Sequence, residues 1–367
     1  MKLWVIAALI AAGLVVGAFA PGTFTGWFRY ATFQVFLPAI IFEAAWQLDF
    51  GIMRRAWRPI MLLAIPGVAV TAAAIAAIAY YGAHLQLPAA LILGAVLSAT
   101  DPVAVTAIFR RLEVPAVLAT IVESESLLND AVAVVLYRTV IGAVTAAAVA
   151  QDRILPLAWH AVLGSVLALA MGAAFGYAGS LALRRYVPVP LQLLATFASA
   201  YSAYLLSNGL GWSGIFAAIA CAIVMRELER SYVSVGMEKS VERAWHVAAT
   251  LSNGALFFLI GTAVEVANLW PLREVLVWTL IAVLASRAIV AYGLLRLVPR
   301  IVRSWMTVVR LAGVRGAISL ALALSVPASI PQRSVIVDAT FTVVVVTLVI
   351  GSLTYGKRIA LLDLSAR

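Results

Sequence analysis

Two short acidic stretches interrupt otherwise apolar sequence, Ala99-Thr-Asp-Pro102 and Glu123-Ser-Glu-Ser-Leu-Leu-Asn-Asp130. A carboxylate in the middle of a membrane span costs roughly 2.5 to 3.5 kcal/mol on insertion scales, so its presence needs a reason. At about 100° per residue, Glu125, Ser126, Asn129 and Asp130 fall within an arc of roughly 140°, which puts four oxygen-bearing groups on one helix face. Such donors suit a hard cation such as Na+. Carboxyl groups also take protons, and one withdrawn from water holds its proton more tightly, so a proton and a cation can exclude one another near neutral pH. The plainer role for such a cluster is a polar network that only joins helices.

The elements that hold these residues are read from composition and hydropathy. The 367 residues are 64% hydrophobic and 11% charged, with a mean hydropathy of +1.04, well beyond the balance of a soluble domain. The chain is an all-α polytopic membrane protein. Apolar stretches long enough for a hydrocarbon core of roughly 30 Å predict about twelve transmembrane helices, near 2–20, 31–48, 59–81, 87–108, 116–140, 155–182, 190–207, 212–226, 244–265, 274–297, 305–327 and 334–355. Proline and glycine punctuate the joins, as at Pro21-Gly22, Pro59, Pro88, Pro115, Pro271, Pro299 and Pro331. The run from Met1 to Ala20 is too long for a signal h-region and reads as the first span.

The net charge of +10 marks a membrane side rather than a nucleic-acid partner. The termini and even-numbered loops hold 18 of the 26 Lys and Arg residues, whereas odd-numbered loops hold only Arg29, Arg153, Arg273 and Arg333. Both termini are therefore predicted to be cytoplasmic, in a multi-pass cell (inner) membrane protein. Cys221 lies alone in an apolar run and reads as a buried structural thiol. His84, His160 and His246 are too scattered for a metal cluster. His246, near the cytoplasmic start of helix 9, is either a pH-responsive group or an ordinary interfacial histidine.

Depth follows from helical rise. Asp101 lies roughly 21 Å from the outer end of helix 4 and Asp130 roughly 20 Å from the inner end of helix 5, so both sit near mid-membrane. Pro102 removes a backbone hydrogen bond where Asp101 stands, which predicts a broken helix 4 with backbone groups free for an ion. Gly313-Val-Arg-Gly316 predicts a second break at matching depth in helix 11. An offset of seven means opposite orientation, so helices 3 to 5 and 10 to 12 form an inverted repeat with two broken, crossing helices, 4 and 11. That pattern implies alternating access. Arg287 and Arg315 are the deep cations and need acidic or carbonyl partners, Glu125 being the natural candidate for one of them. Arg138 and Arg310, nearer the ends, are expected to snorkel, and Asp338 and Glu265 to be structural. Glu43, after Pro38, is a further deep acid that either joins the site or pairs elsewhere, and Glu123 lies toward the cytoplasmic mouth.

Leu37-Pro-Ala-Ile-Ile-Phe-Glu43, Ala99-Thr-Asp-Pro102, Glu125-Ser-Leu-Leu-Asn-Asp130, Phe257-Phe-Leu-Ile-Gly261 and Gly313-Val-Arg-Gly-Ala-Ile-Ser-Leu320 together resemble the sodium/proton exchangers of the cation/proton antiporter-1 family, in their bacterial and archaeal form. The resemblance spans nearly the whole chain. It implies a homodimer in which a six-helix core, here about 59–140 and 274–355, moves like an elevator against an interface domain, here about 1–50 and 155–265. Asp130 would carry the cation or a proton, assisted by Asp101, Thr100 and Ser126, with Glu43 a further expected site residue. Asp130, Asp101 and Ser126 would be the Na+ ligands. Asn129 in place of a second Asp marks the family's electroneutral members. Glu125 would pair with Arg287, and Arg315 would balance the carbonyl ends exposed at the helix 11 break. No cofactor is implied beyond the transported Na+ and H+, with Li+ or K+ as further ions and the lipid bilayer as surroundings. Ser124 stands where the family usually has Gly. Helix 1, with Gly13-Leu-Val-Val-Gly17, resembles the second of the family's usual thirteen helices, which leaves the first without a counterpart in this sequence.

The sequence leaves open a K+/H+ antiporter on the same scaffold, because selectivity rests on fine ligand geometry. A cation channel fits the inverted broken helices less well. An inactive pseudo-transporter is disfavoured by the complete set of ion-site residues. Two membrane aspartates can also form a protease dyad, but neither lies in a Tyr-Asp or Gly-x-Gly-Asp context, so the chain is not read as an enzyme.

Overall fold

In the computed structural model, residues 3–19, 30–101, 103–147, 154–183, 188–229, 235–262, 270–299, 301–362 and 364 are described. Pro102, the expected breaking point of helix 4, lies outside them, as do the Pro21-Gly22 join, Lys2, Arg29, Arg153, Arg184, Arg185, Arg230, Glu265, Arg300 and Arg367. All regular structure among the described residues is helical. Among the described residues, seven helices are long and apolar enough to cross a membrane: Trp57–Tyr81, Ala116–Thr145, Pro156–Leu181, Val189–Gly209, Ser240–Thr262, Arg273–Leu297 and Arg333–Gly351. Val5–Phe19 and Leu87–Val96 are shorter apolar helices.

The chain divides into two compact units. The first comprises Met1–Thr25, Gly51–Ala148 and Phe257–Arg367. It holds α1 (Leu3–Phe19), α3a (Trp57–Ala64) and α3b (Pro66–Tyr81), α4a (Leu87–Val96) and α4b (Val103–Arg111), and α5 (Ala116–Ala147). It also holds α10 (Arg273–Ile289), α11a (Arg303–Leu311) and α11b (Ala317–Leu324), and α12 (Arg333–Ala360). The second comprises Gly26–Phe50 and Val149–Leu256, with α2 (Leu37–Gln47), α6 (Ile154–Leu183), α7 (Val189–Gly209), α8 (Gly214–Glu229) and most of α9 (Val235–Thr262).

Within the first unit, α4a packs on α3b and α5, α10 packs on α3b, and α12 packs on α11b and both halves of helix 4. Pro66 has no N–H to give, so the helix expected over 59–81 divides at Ile65. The helix expected over 274–297 is α-helical only to Ile289, then passes through a π turn at Val290–Leu294 and a 3-10 turn at Leu295–Leu297. Gly293, a poor helix former, lies in that π turn. Small residues let α1 approach the end of α9: a Cβ on Gly17 would stand 2.7 Å from the Thr262 carbonyl oxygen. The Gly13-x-x-x-Gly17 spacing is thus a close-packing face.

The second unit uses the same device. Gly172 and Gly176 of α6 lie against the α8 backbone at Ala217 and Cys221, and Cys221 is buried with a free thiol. Phe42, Trp245 and Phe197 stack across three helices, at centroid distances of 4.2 and 3.9 Å. Trp245 Nε1 donates to Thr196 Oγ1 at 3.1 Å, so the buried indole keeps a polar partner.

Candidate functional site

Both expected breaks are present, and they meet. After α4a ends at Val96, Leu97 N–H still bonds Leu93 O at 2.9 Å and Ser98 Oγ closes on Ala95 O at 2.7 Å. Asp101 N–H then leaves its own helix and donates to Val314 O, in the break between α11a and α11b, at 2.8 Å. Gly316, the N-cap of α11b, is extended (φ −140°, ψ −159°). A Cβ there would collide with the Asp101 carboxylate, so the carboxylate rests against the amino end of α11b. The positive end of that helix dipole favours an anion at this place.

The α5 face predicted from helical spacing packs against the helix 4 break. Asn129 Oδ1 accepts Thr100 N–H at 3.0 Å, and Asn129 Nδ2 donates to Thr100 Oγ1 at 2.7 Å and to Glu125 Oε1 at 3.1 Å. Ser126 Oγ lies 2.8 Å from Thr100 Oγ1 and donates to Thr100 O at 3.1 Å. Asn129 therefore uses its oxygen and one amide hydrogen to fix the helix 4 break at Thr100 and the other amide hydrogen to hold Glu125, as buried polar groups require. Asp130 is buried too, only 7% exposed, yet its Oδ1 has no hydrogen-bond partner among the described residues. Asp101, Glu125 and Arg315 all act on it electrostatically.

Glu125 and Arg287 form a two-pronged buried pair, Nη1 to Oε1 at 2.8 Å and Nη2 to Oε2 at 2.9 Å. Arg287 Nε donates to Val309 O at 3.0 Å, and the stem of Arg287 fills the space beside Gly313. The fork geometry leaves few lone pairs unmet, the condition under which a buried ion pair is tolerated. Arg315 is fully buried and donates through Nη1 to Ala99 O at 3.0 Å and Ser98 O at 3.3 Å. This corrects one expectation. Arg315 sits in the helix 11 break but balances the carbonyl end of α4a, because the crossing brings the negative end of that half-helix to its guanidinium.

Thr100, Asp101, Glu125, Ser126, Asn129, Asp130, Arg287 and Arg315 all lie in the first unit. Glu43 belongs to the second, where it accepts from Gln47 Nε2 and pairs with His246 Nδ1 at 3.0 Å. Arg138 is exposed, as expected of a snorkelling residue, and Arg310 lies over the Tyr292 ring with its guanidinium carbon 5.9 Å from the centroid. Sequence reasoning did not single out Ser98, Ser319 or Thr347. Ser319 Oγ donates to Ala99 O at 3.4 Å, and Thr347 Oγ1 accepts Arg315 N–H at 3.2 Å. Ser319 stands in the Gly313 to Leu320 run and could have been flagged there, whereas a single Thr in a long apolar helix carries no signal.

Residues 1–356 match the model of the transmembrane sodium/hydrogen exchanger family. The chain belongs to that family. It is 34% identical over 338 residues to the Na+/H+ antiporter ApNhaP of Aphanothece halophytica, covering 90% of this chain and 64% of that protein. It is 31% identical over 341 residues to the low-affinity Na+/H+ antiporter NhaS1 of Synechocystis sp., with the same two shares. The chain thus spans 64% of the length of these curated relatives. The solved sodium/proton antiporter MjNhaP1 of Methanocaldococcus jannaschii has the same fold, with a TM-score of 0.81 at 20% identity over 98% of this chain and 92% of that one. In this exchanger-family fold, the packing of α5 against the helix 4 break brings the two acidic stretches of the sequence together.

Proposed function

We propose that the chain is a secondary active transporter that exchanges Na+, and also Li+, for H+ one for one by alternating access. The observation that carries this reading is Asp130: its Oδ1 is buried and unpaired, while Thr100, Ser126, Asn129, Glu125 and Arg287 bond to one another around it. A buried carboxylate without a partner takes either a proton or a cation to offset its desolvation. Asp101, Thr100 and Ser126 are the neighbouring oxygen donors for the ion. Family membership and the relatives' printed activities support the same reading.

The mechanism needs only competition at one site. An empty charged site is costly to carry through hydrocarbon, so the core changes access while holding Na+ or H+, and an inward proton gradient drives Na+ outward. Asn129 in place of an acid keeps the site's charge change at one, consistent with electroneutral exchange. The homodimer, the elevator-like movement and cytoplasmic termini in the cell membrane belong to this proposal. The loop charge bias supports the last of these.

The test is internal pH in proteoliposomes of the purified protein, with Na+, Li+ or K+ added outside in turn and with or without a valinomycin-set potential. Sodium-driven proton release insensitive to the potential is expected, and Asp130→Asn should abolish it while leaving expression intact. Proton release driven by K+ alone would assign a different cation. No release with any cation from folded protein would overturn exchange altogether.

A further inference from the structure

Away from the buried site, the first unit holds an open surface pocket of about 530 Å3 lined by Ala77, Ile78, Tyr81, Gly82, His84, Glu274 and Trp278. Tyr81 ends the apolar helix Trp57–Tyr81 and Glu274 is the second residue of Arg273–Leu297, so the pocket lies at the ends of two helices long and apolar enough to cross a membrane, where such helices meet the membrane boundary. Trp and Tyr concentrate at that depth. Glu274 and Trp278 are one helical turn apart on α10 and share a face. The indole of Trp278 lies directly on Gly82, whose missing Cβ would stand 2.8 Å from Trp278 Cε3. Glu274 is exposed and has no hydrogen bond or ion pair with any described residue.

We propose that this pocket binds the headgroup of an aminophospholipid. The unpaired Glu274 carboxylate, beside the rings of Tyr81 and Trp278, suits a primary ammonium, which brings three N–H donors to the carboxylate and its charge to the ring faces. A quaternary ammonium has no N–H to offer Glu274. The neighbouring Arg273, exposed and over the Trp270 ring at 5.8 Å, suits the phosphate. Below it, Val277, Ile281 and Leu284 are 58%, 45% and 56% exposed. They continue the Arg273 face of α10 at helical spacing and give an acyl chain an apolar track. That track favours a lipid over a free amine.

The experiment is native mass spectrometry of the detergent-solubilised protein titrated with dioleoyl phosphatidylethanolamine, phosphatidylcholine or phosphatidylglycerol, or with soluble phosphoethanolamine. Phosphatidylethanolamine should bind about tenfold more tightly than the other two lipids, the size of one charge-assisted hydrogen bond. Glu274→Gln, at an exposed position, should erase that preference. Equal binding of the ethanolamine and choline lipids, or a preference that survives Glu274→Gln, would overturn the proposal. Phosphoethanolamine competing at equal concentration would overturn the lipid as the source and assign the site to a free amine. Binding is read without transport, so its failure leaves the exchange reading untouched.

Discussion

Removing one partner of the Arg287–Glu125 pair should destabilise the protein more than removing both. Each side chain is at most 5% exposed, and two N–H···O bonds of 2.8 and 2.9 Å join them. Glu125→Leu strands a buried guanidinium and Arg287→Met a buried carboxylate, and either is expected to cost roughly 3 to 5 kcal/mol. The double variant removes both charges and leaves Val309 O without its donor and Asn129 Nδ2 with Thr100 Oγ1 alone. Its cost should be about 2 to 4 kcal/mol, below the sum of the two single costs. Reversible unfolding in mixed micelles, followed by the fluorescence of the ten Trp residues, measures all three variants. Single costs that simply add in the double variant, or fall under about 1 kcal/mol, would refute the argument that desolvated charge governs this pair.

Gly313→Ala sets a Cβ 2.6 Å from Arg287 Cγ and should weaken both folding and exchange, read by the same unfolding assay and by proteoliposome flux. Gly316→Ala meets the Asp101 carboxylate itself and should abolish exchange even where the protein still folds, which size-exclusion profiles check. Asn129→Asp loses the donors to Thr100 Oγ1 and Glu125 Oε1 and sets a second acid against Glu125, so it should lower stability by about 1 to 3 kcal/mol. On the proposed competition of Na+ and H+ for the Asp130 carboxylate, half-saturating Na+ should rise as pH falls while maximal flux at saturating Na+ changes less; flux measured over a pH series tests this.

The acidic face of α5 was legible because helical spacing is local: residues 125, 126, 129 and 130 share a face in any helix that forms there. The breaks were legible for the same reason, since Gly313 and Gly316 interrupt helix 11 where the structure does, between Leu311 and Ala317. Local pattern was weaker at Pro66 and in the turn after Ile289, where apolar composition runs unbroken through a change in backbone geometry. Glu43 shows the limit plainly. Its depth marks it as an acid needing a partner, but its contacts with Gln47 and His246 join it to one residue a turn away and one on another helix.

By itself, then, the sequence determined an all-helical membrane protein, an acidic face on one helix and two interrupted helices, because hydropathy, helical period and the backbone limits of proline and glycine act within a few residues. Only the tertiary structure decided that Arg315 serves the carbonyl end of α4a, that Asn129 ties Thr100 to Glu125, that Thr347 receives the Arg315 amide and that Asp130 Oδ1 is left without a partner. Those choices depend on which backbone atoms a crossing of distant segments brings within 3 Å or so, and a hydrogen bond is too short-ranged for sequence spacing to fix its partner.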